Sequence, residues 1–261
     1  MTEVAIETAG RVGIVRIDRA ARMNALTPAV FAGLRDGLDR FEADAAIGAV
    51  VVTGTGRAFC AGADLAEGLP PDASGRPDVG GALDRDYNPL VRRLWRYPKP
   101  VVAAVNGAAV GAGANLALAC DIVLAARSAY FQQAFVRIGL MPDAGGTWLL
   151  PRIVGHKCAL ALMLTGDRLT AEEAERAGLA YRVLEDEGFH DAALAFAEGL
   201  AGGAGLALRA TKEALAAGLD VGLDAQLDRE RDLQAELGRS HDFAEGVAAF
   251  RDKRPPRFEG R

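Results

Sequence analysis

The sequence predicts an α/β protein, and three observations predict it. Apolar runs of strand length recur at Val12–Ile17, 49–53, Val101–Val105 and Ile122–Ala126, with helix-like or small-residue segments between them. Glycine-rich stretches follow two of those runs and lead into apolar segments at helical spacing. Beyond about residue 199 strand patterning stops and only helical periodicity is left. A chain of 261 residues, half of them hydrophobic, is long enough to bury a substantial core.

Taken in order, residues 4–7 read as a strand that pairs through the Ala9-Gly10 turn with Val12–Ile17. Thr27 and Pro28 supply an N-cap and a first-turn proline for a helix in which Val30, Phe31, Leu34, Leu38 and Phe41 recur at helical spacing. Residues 49–53 are a buried strand, and the stretch 59–65 (FCAGADL) reads as a turn opening onto a helix. Residues 68–81, rich in Pro, Gly, Asp and Ser, read as a mobile loop that could cover a site. Val101–Val105 follows Pro100 as a strand, 106–115 (NGAAVGAGAN) turns into a helix, and Ile122–Ala126 is a further strand. Helical stretches follow at 206–217, 223–237 and 243–251, so the chain divides into a core, 1–199, and a helical C-terminal region, 200–261. Leu215, Leu219, Leu227 and Leu233 there are expected to pack against this or another subunit.

The net charge of −5 argues against a broad nucleic-acid footprint, and the Arg92, Arg93 and Arg96 cluster reads as a solvated helix face. Cys60, Cys120 and Cys158 are odd in number and widely spaced, as expected of thiols in a reducing compartment. His156, His190 and His241 stand singly without a ligand spacing, so no metal is expected. The N-terminus, with Glu3 and Glu7, does not read as a signal peptide, and a cytoplasmic location is expected. Residues 101–120 carry no charge, but Asn106 and Asn115 interrupt them and Pro100 and Asp121 bound them. They read as strand, turn and buried helix rather than as a membrane span.

The stretch 131–147 (FQQAFVRIGLMPDAGGT) sets one carboxylate, Asp143, among apolar and small residues just before a helix. Such a carboxylate can act as general acid and base; equally, Asp143 can cap a helix that begins near Ala144. Burial beside Phe135 and Met141 would raise its pKa, and the helix N-terminus would lower it. Ala63, between Gly62 and Asp64, and Ala112, between Gly111 and Gly113, are candidate main-chain donors to one oxyanion, because small neighbours let a ligand reach the backbone. Tight strand-to-helix packing would call for the same small residues. Neither a GxxxxGK[ST] loop, a GxGxxG turn nor a GxSxG elbow is present.

These two stretches, the segment 142–152 (PDAGGTWLLPR), Thr165-Gly166 with 171–179 (AEEAERAGL), and the ending 250–258 resemble the crotonase superfamily over nearly the whole chain. The resemblance implies a spiral of ββα units, a helical C-terminal trimerisation region, and a homotrimer or dimer of trimers. It implies an acyl-CoA thioester substrate, with coenzyme A as part of the substrate and no separate cofactor. The Ala63 and Ala112 amides would hold the thioester oxygen as an enolate forms, beside Ala61 and Gly111. Arg22, Ala25, Asp64 and Leu65 match places that contact the CoA nucleotide, and Phe258 joins the substrate-binding set.

Superfamily members that hydrate enoyl-CoA bracket the water with two glutamates, and the matching positions here hold Asn115 and Phe135. An amide and a phenyl ring supply neither acid nor base, so Asn115 and Phe135 are expected to line the substrate, and hydration to be weak or absent. Asp143 stands where hydratases have glycine. The run 133–152 is most similar to the 1,2-epoxyphenylacetyl-CoA isomerase type, in which Asp143 matches the catalytic aspartate. The resemblance therefore implies an isomerase of unsaturated or epoxidised acyl-CoA, with Asp143 as proton shuttle. A hydratase would need a second acid from Glu67, Asp84 or Asp86, and an aryl-CoA dehalogenase-like enzyme would use Asp143 as nucleophile. The acidic balance disfavours an RNA-binding role.

Overall fold

The computed structural model describes residues 3–68 and 71–260. Strand β1 (Val4–Ala9) turns back at Gly10, whose φ of +54° suits a residue without Cβ, and pairs antiparallel with β2 (Val12–Ile17). Helix α1 (Pro28–Ala43) begins where Thr27 Oγ1 accepts the Val30 amide at 3.2 Å, and it buries the five apolar residues its spacing marked.

Strands β3 (Ala49–Gly54), β4 (Ala58–Cys60), β5 (Val101–Val105), β6 (Ala108–Val110), β7 (Ile122–Ala126) and β8 (Tyr130–Gln132) then alternate between two sheets. After them come β9 (Arg168–Thr170) in the smaller sheet and β10 (Arg182–Leu184) in the larger. The six-stranded sheet has the order β1-β2-β3-β5-β7-β10 and is parallel from β2 onward; the four-stranded sheet has the order β4-β6-β8-β9. Helices close each pass: α2 (Val79–Ala82) and α3 (Asn88–Trp95) after β4, α4 (Ala112–Leu118) after β6, α5 (Gly146–Val154) and α6 (His156–Thr165) after β8, and α7 (Ala171–Arg176) after β9. The result is the α/β spiral of ββα units that the resemblance implies.

Asn106 builds the corner between the sheets. Its Oδ1 accepts the Gly54 amide at 3.1 Å, and its Nδ2 donates to the carbonyls of Gly56 and Ala58. Residues 101–120, uncharged as they are, are thus two strands and a short helix. Among the described residues no single helix is long and apolar enough to cross a membrane.

Two expectations need correction. The stretch 59–65 does not open onto a helix: Phe59 and Cys60 end β4, and residues 65–67 form a turn. The expected loop 68–81 straddles residues 69 and 70, which lie outside the described residues, and its last part opens α2, where Asp78 caps the Gly81 amide at 2.8 Å.

Helix α8 (Phe189–Ala201) packs Phe189, Ala193, Ala197 and Ala201 inward at four-residue intervals. Beyond it lie α9 (Gly205–Gly218), α10 (Leu223–Leu237) and α11 (His241–Asp252), each within two residues of its expected bounds. Lys212 on α9 ties this region to the core through Asp121 at 2.5 Å and the Lys99 carbonyl at 2.9 Å. Leu215, Leu219, Leu227, Phe243 and Phe250 are exposed on the protomer. Cys60 and Cys120 are buried and Cys158 half-buried, and burial pushes the Cys60 thiol up to about 12.

Candidate active site

Asp143 is presented by a tight, left-handed turn. The chain leaves a short 3-10 segment (Ala134–Ile138) at Gly139, passes through residues 140–143 without regular structure, and turns at Ala144 (φ +48°) and Gly145 (φ +80°) before α5 begins. The Gly146 amide closes the turn on the Asp143 carbonyl at 2.8 Å. Gly145, not Asp143, occupies the N-cap of α5 and no side chain caps it, so the capping reading of Asp143 fails. An alanine at φ +48° is in a region that disfavours a Cβ, a cost of order ~1 kcal/mol that the surroundings must hold in place.

No other described residue donates to the carboxylate. Asp143 Oδ1 is buried with no hydrogen bond, and burial pushes its pKa up to about 6 against the lowering effect of its own amide. Met141, expected to dry the site, is 69% exposed and takes no such part.

Asn115 clamps this turn from below. It lies on α4, three residues after Ala112, and is fully buried. Its Nδ2 donates to the Asp143 carbonyl at 2.8 Å, and its Oδ1 accepts from Gln133 Nε2 at 2.8 Å. Because a carbonyl can only accept, the orientation of both amides follows from this chain of donors. Gly146 leaves the space this needs: a Cβ there would collide with the Asn115 amide. Asn115 therefore spends its polar atoms on protein groups, where the sequence suggested a substrate contact.

The two candidate donors are free and adjacent. Leu26 donates to the Gly62 carbonyl at 2.7 Å and accepts from the Asp64 amide at 3.1 Å, a parallel bridge that leaves the Ala63 N–H on the other side. That N–H has no partner among the described residues. Gly111 gives its amide to the Gln132 carbonyl at 2.8 Å, whereas the Ala112 N–H, at the start of α4, has none. A Cβ on Gly62 would stand 3.4 Å from the Ala112 nitrogen and closer still to the Val110 carbonyl, so only glycine lets the two stretches meet. Phe135 is buried, and its ring lies 3.8 Å from where a Gly111 Cβ would be, an apolar wall beside the amides.

Further along, Arg19 joins the two loops that the sequence linked to CoA. Its Nη1 donates to the Ala25 carbonyl at 2.8 Å and to Asp64 at 3.0 Å. Burial pulls the Asp64 pKa up, but the Glu67 amide, Arg19 and the Ala66 amide outweigh it and keep the carboxyl below its ordinary value. An open depression of about 250 Å³ is lined by Arg19, Arg22, Asp64, Ala66 and Glu67. Ala25 is buried, Leu65 is exposed, and the Ala61 amide donates to the Met23 carbonyl at 3.0 Å. Phe258 packs near Gly246 of α11.

Arg19 and Gln133 carry no motif in the sequence and gain their place from these hydrogen bonds. Tyr87 is 8% exposed at the end of a π-helical turn (Leu83–Tyr87), edge-on to Phe31 at 4.5 Å.

A family model described as enoyl-CoA hydratase/isomerase matches residues 7–261. A Rhodobacter capsulatus protein named "probable enoyl-CoA hydratase" is 48% identical over 95% of this chain and 94% of its own. The 1,2-epoxyphenylacetyl-CoA isomerase of Escherichia coli is 46% identical over 94% of each chain. Among solved structures, an enoyl-CoA hydratase from Bacillus anthracis superposes with a TM-score of 0.92 at 33% identity, covering 99% of this chain and 100% of that one. Fold, free amides and match together define an enzyme of acyl-CoA hydratase/isomerase chemistry. The chain belongs to the enoyl-CoA hydratase/isomerase family, that is, the crotonase superfamily.

Proposed function

We propose that this enzyme isomerises an unsaturated or epoxidised acyl-CoA by moving one proton between two carbons. The Asp143 carboxylate takes a proton from the carbon next to the thioester, and the Ala63 and Ala112 amides hold the enolate oxygen that results. The same carboxyl then returns the proton at the vinylogous carbon, so the double bond shifts and nothing is added or lost. A carboxyl with a pKa of about 6 suits both halves of this exchange near neutral pH.

The observation that carries the reading is the buried, unsatisfied Asp143 Oδ1 together with an Asn115 whose amide is occupied on both sides. Hydration would need a second group to handle water, and the three candidates are poorly suited. Glu67 lines the open depression near Arg22, Asp84 is exposed, and Asp86 is ion-paired with Arg85 at 3.1 Å and Arg35 at 3.8 Å. The 46% identity to an epoxyphenylacetyl-CoA isomerase supports the ring-epoxide branch of the proposal.

The proposal extends to the rest of the site. Arg22, Ala25, Ala61, Asp64, Leu65 and Phe258 contact the CoA moiety, no cofactor beyond that CoA is needed, and the exposed leucines of α9 and α10 are covered in a homotrimer or dimer of trimers in the cytoplasm. Assays of the purified enzyme with 3-enoyl-CoA, 2-enoyl-CoA and 1,2-epoxyphenylacetyl-CoA test the reaction. Isomerisation that disappears in Asp143→Asn while CoA binding persists supports it; rapid hydration of 2-enoyl-CoA that survives the substitution overturns it. A covalent adduct on Asp143 detected by mass spectrometry would instead mark a nucleophile.

A further inference from the structure

The two amides proposed to hold the thioester oxygen are fixed by different means. Ala112 opens α4 and takes its direction from the helix. Ala63 has no helix behind it, since residues 65–67 form a turn, and it borrows its support from residues 23–26. The Ala61 amide donates to the Met23 carbonyl at 3.0 Å, the Leu26 amide to the Gly62 carbonyl at 2.7 Å, and the Asp64 amide to the Leu26 carbonyl at 3.1 Å. The Gly62 carbonyl and the Ala63 N–H belong to one planar peptide unit and point opposite ways, so the bond from Leu26 sets the direction of that N–H. It can turn only if residues 23–26 move with it.

That segment in turn hangs on Asn24. Met23 and Asn24 have φ of +51° and +56°, two successive left-handed residues without a glycine, a conformation that the local chain does not favour and its surroundings must hold. Asn24 is fully buried, and both polar atoms of its side chain are engaged. Nδ2 donates to the Thr55 carbonyl at 3.0 Å and to the Ala58 carbonyl at 2.7 Å, where β3 passes into β4. Oδ1 accepts the Arg19 amide at 2.9 Å, while the main-chain amide of Asn24 donates to the Arg19 carbonyl at 3.1 Å. Gly54 makes the room, for a Cβ there would stand 2.5 Å from Nδ2. Arg19 closes the arrangement from outside, its Nη1 reaching the Ala25 carbonyl just before Leu26 and the Asp64 carboxylate just after Ala63.

We infer that Asn24 is a positioning residue for the reaction, acting through Ala63 by aiming its N–H at the thioester oxygen. This rests on the reading of Ala63 and Ala112 as oxyanion donors and adds the side chain on which one of them depends. Asn24 holds the loop 19–25 to the start of β4, and β4 leads through Cys60 into Ala61–Ala63, so both supports of the Ala63 peptide meet at one side-chain amide. Without that amide Met23 and residue 24 leave the left-handed region, Leu26 shifts, and the Gly62 carbonyl turns with it. A donor stabilises a developing oxyanion only where it points at that oxygen, and the loss therefore falls on the transition state more than on substrate binding.

The test compares the full-length enzyme with Asn24→Gly, which accepts the same backbone conformation and removes only the side-chain bonds. The probe is 4-dimethylaminocinnamoyl-CoA, which absorbs at longer wavelength the more its thioester carbonyl is polarised. At saturation its spectrum reports the aim of the donors and not the occupancy of the site. Wild type should shift the absorption to the red, and Asn24→Gly should lose about half of that shift or more, with kcat down about tenfold and KM changed much less. A full shift retained in Asn24→Gly overturns the inference and leaves the oxyanion reading standing; no shift in the wild type overturns both. Where Asn24→Gly does not fold, Arg19→Lys carries the same test. Lysine has one nitrogen for what the guanidinium does with two, Nε on Glu3 at 2.8 Å and Nη1 on Ala25 and Asp64. A smaller red shift is expected there too, and an unchanged one overturns the inference.

Discussion

Asn115 donates its side-chain amide to the main-chain carbonyl of Asp143 at 2.8 Å, so it holds the backbone of the residue proposed to move the proton. The clamp matters because the turn it grips is held at Ala144 in a conformation alanine disfavours. Gln133, buried on the far side, fixes the amide that does the gripping.

Replacing Asn115 with Ala removes both bonds and strands Gln133 Nε2, while the Asp143 carbonyl keeps the Gly146 amide. The expected loss of stability is about 1–3 kcal/mol by urea denaturation. Activity should fall mainly in kcat, because the carboxylate is displaced while the CoA-binding loops are untouched. Asn115→Asp should do worse than Ala above neutral pH, since a carboxylate would face the Asp143 carbonyl with no proton to offer. An Asp variant as active as wild type would show that the clamp is dispensable.

A base that must be ionised gives a rate profile with a known direction. Burial raises the Asp143 pKa to about 6, so kcat/KM should be low at pH 5, rise through an apparent pKa near 6 and level off above 7. The rising limb should vanish along with the activity in Asp143→Asn. A profile already flat at pH 5 would mean that the carboxyl is not desolvated as this geometry requires.

Much of this was legible before the coordinates. Long Val-rich strands, the Thr27-Pro28 helix start and the three C-terminal helices each carry enough residues for periodicity to speak. Strands β4, β6 and β8 do not: each has three residues, and β6 is flanked by Gly107 and Gly111, so the smaller sheet left no periodic signal. Asp143 and the two amides could be picked out because their types and spacing are unusual. The role of Asn115 could not, because it depends on a turn 28 residues away. Arg19 likewise acquires meaning only from what the fold sets beside it, Ala25 and Asp64.

Gly146 offers a sharper check on the clamp. A methyl group there would overlap the Asn115 amide, which is buried between Gln133 and Asp143 and has nowhere to retreat. Gly146→Ala is expected to cost about 1–3 kcal/mol, as overpacking usually does. Its kcat should fall with that of Asn115→Ala, and the double variant should lose less than the sum of the two. Additive losses would mean that Gly146 and Asn115 act independently.

Asp143 should also destabilise the fold it serves, in a way that depends on pH. Its carboxyl binds a proton more tightly in the folded chain, with a pKa of about 6, than in the unfolded chain, where the ordinary value is 3.8. Below that ordinary value both states are protonated and the side chain makes no difference to stability. Between there and about pH 6 the unfolded chain ionises first, so stability declines as pH rises, and above pH 6 the decline is complete at up to about 3 kcal/mol. Asparagine carries no proton to lose. Asp143→Asn should therefore match wild type near pH 4 and exceed it at pH 8, in urea unfolding followed across that range. A difference between the two proteins that stays constant from pH 4 to pH 8 would place the gain in packing or hydrogen bonding rather than in the buried charge.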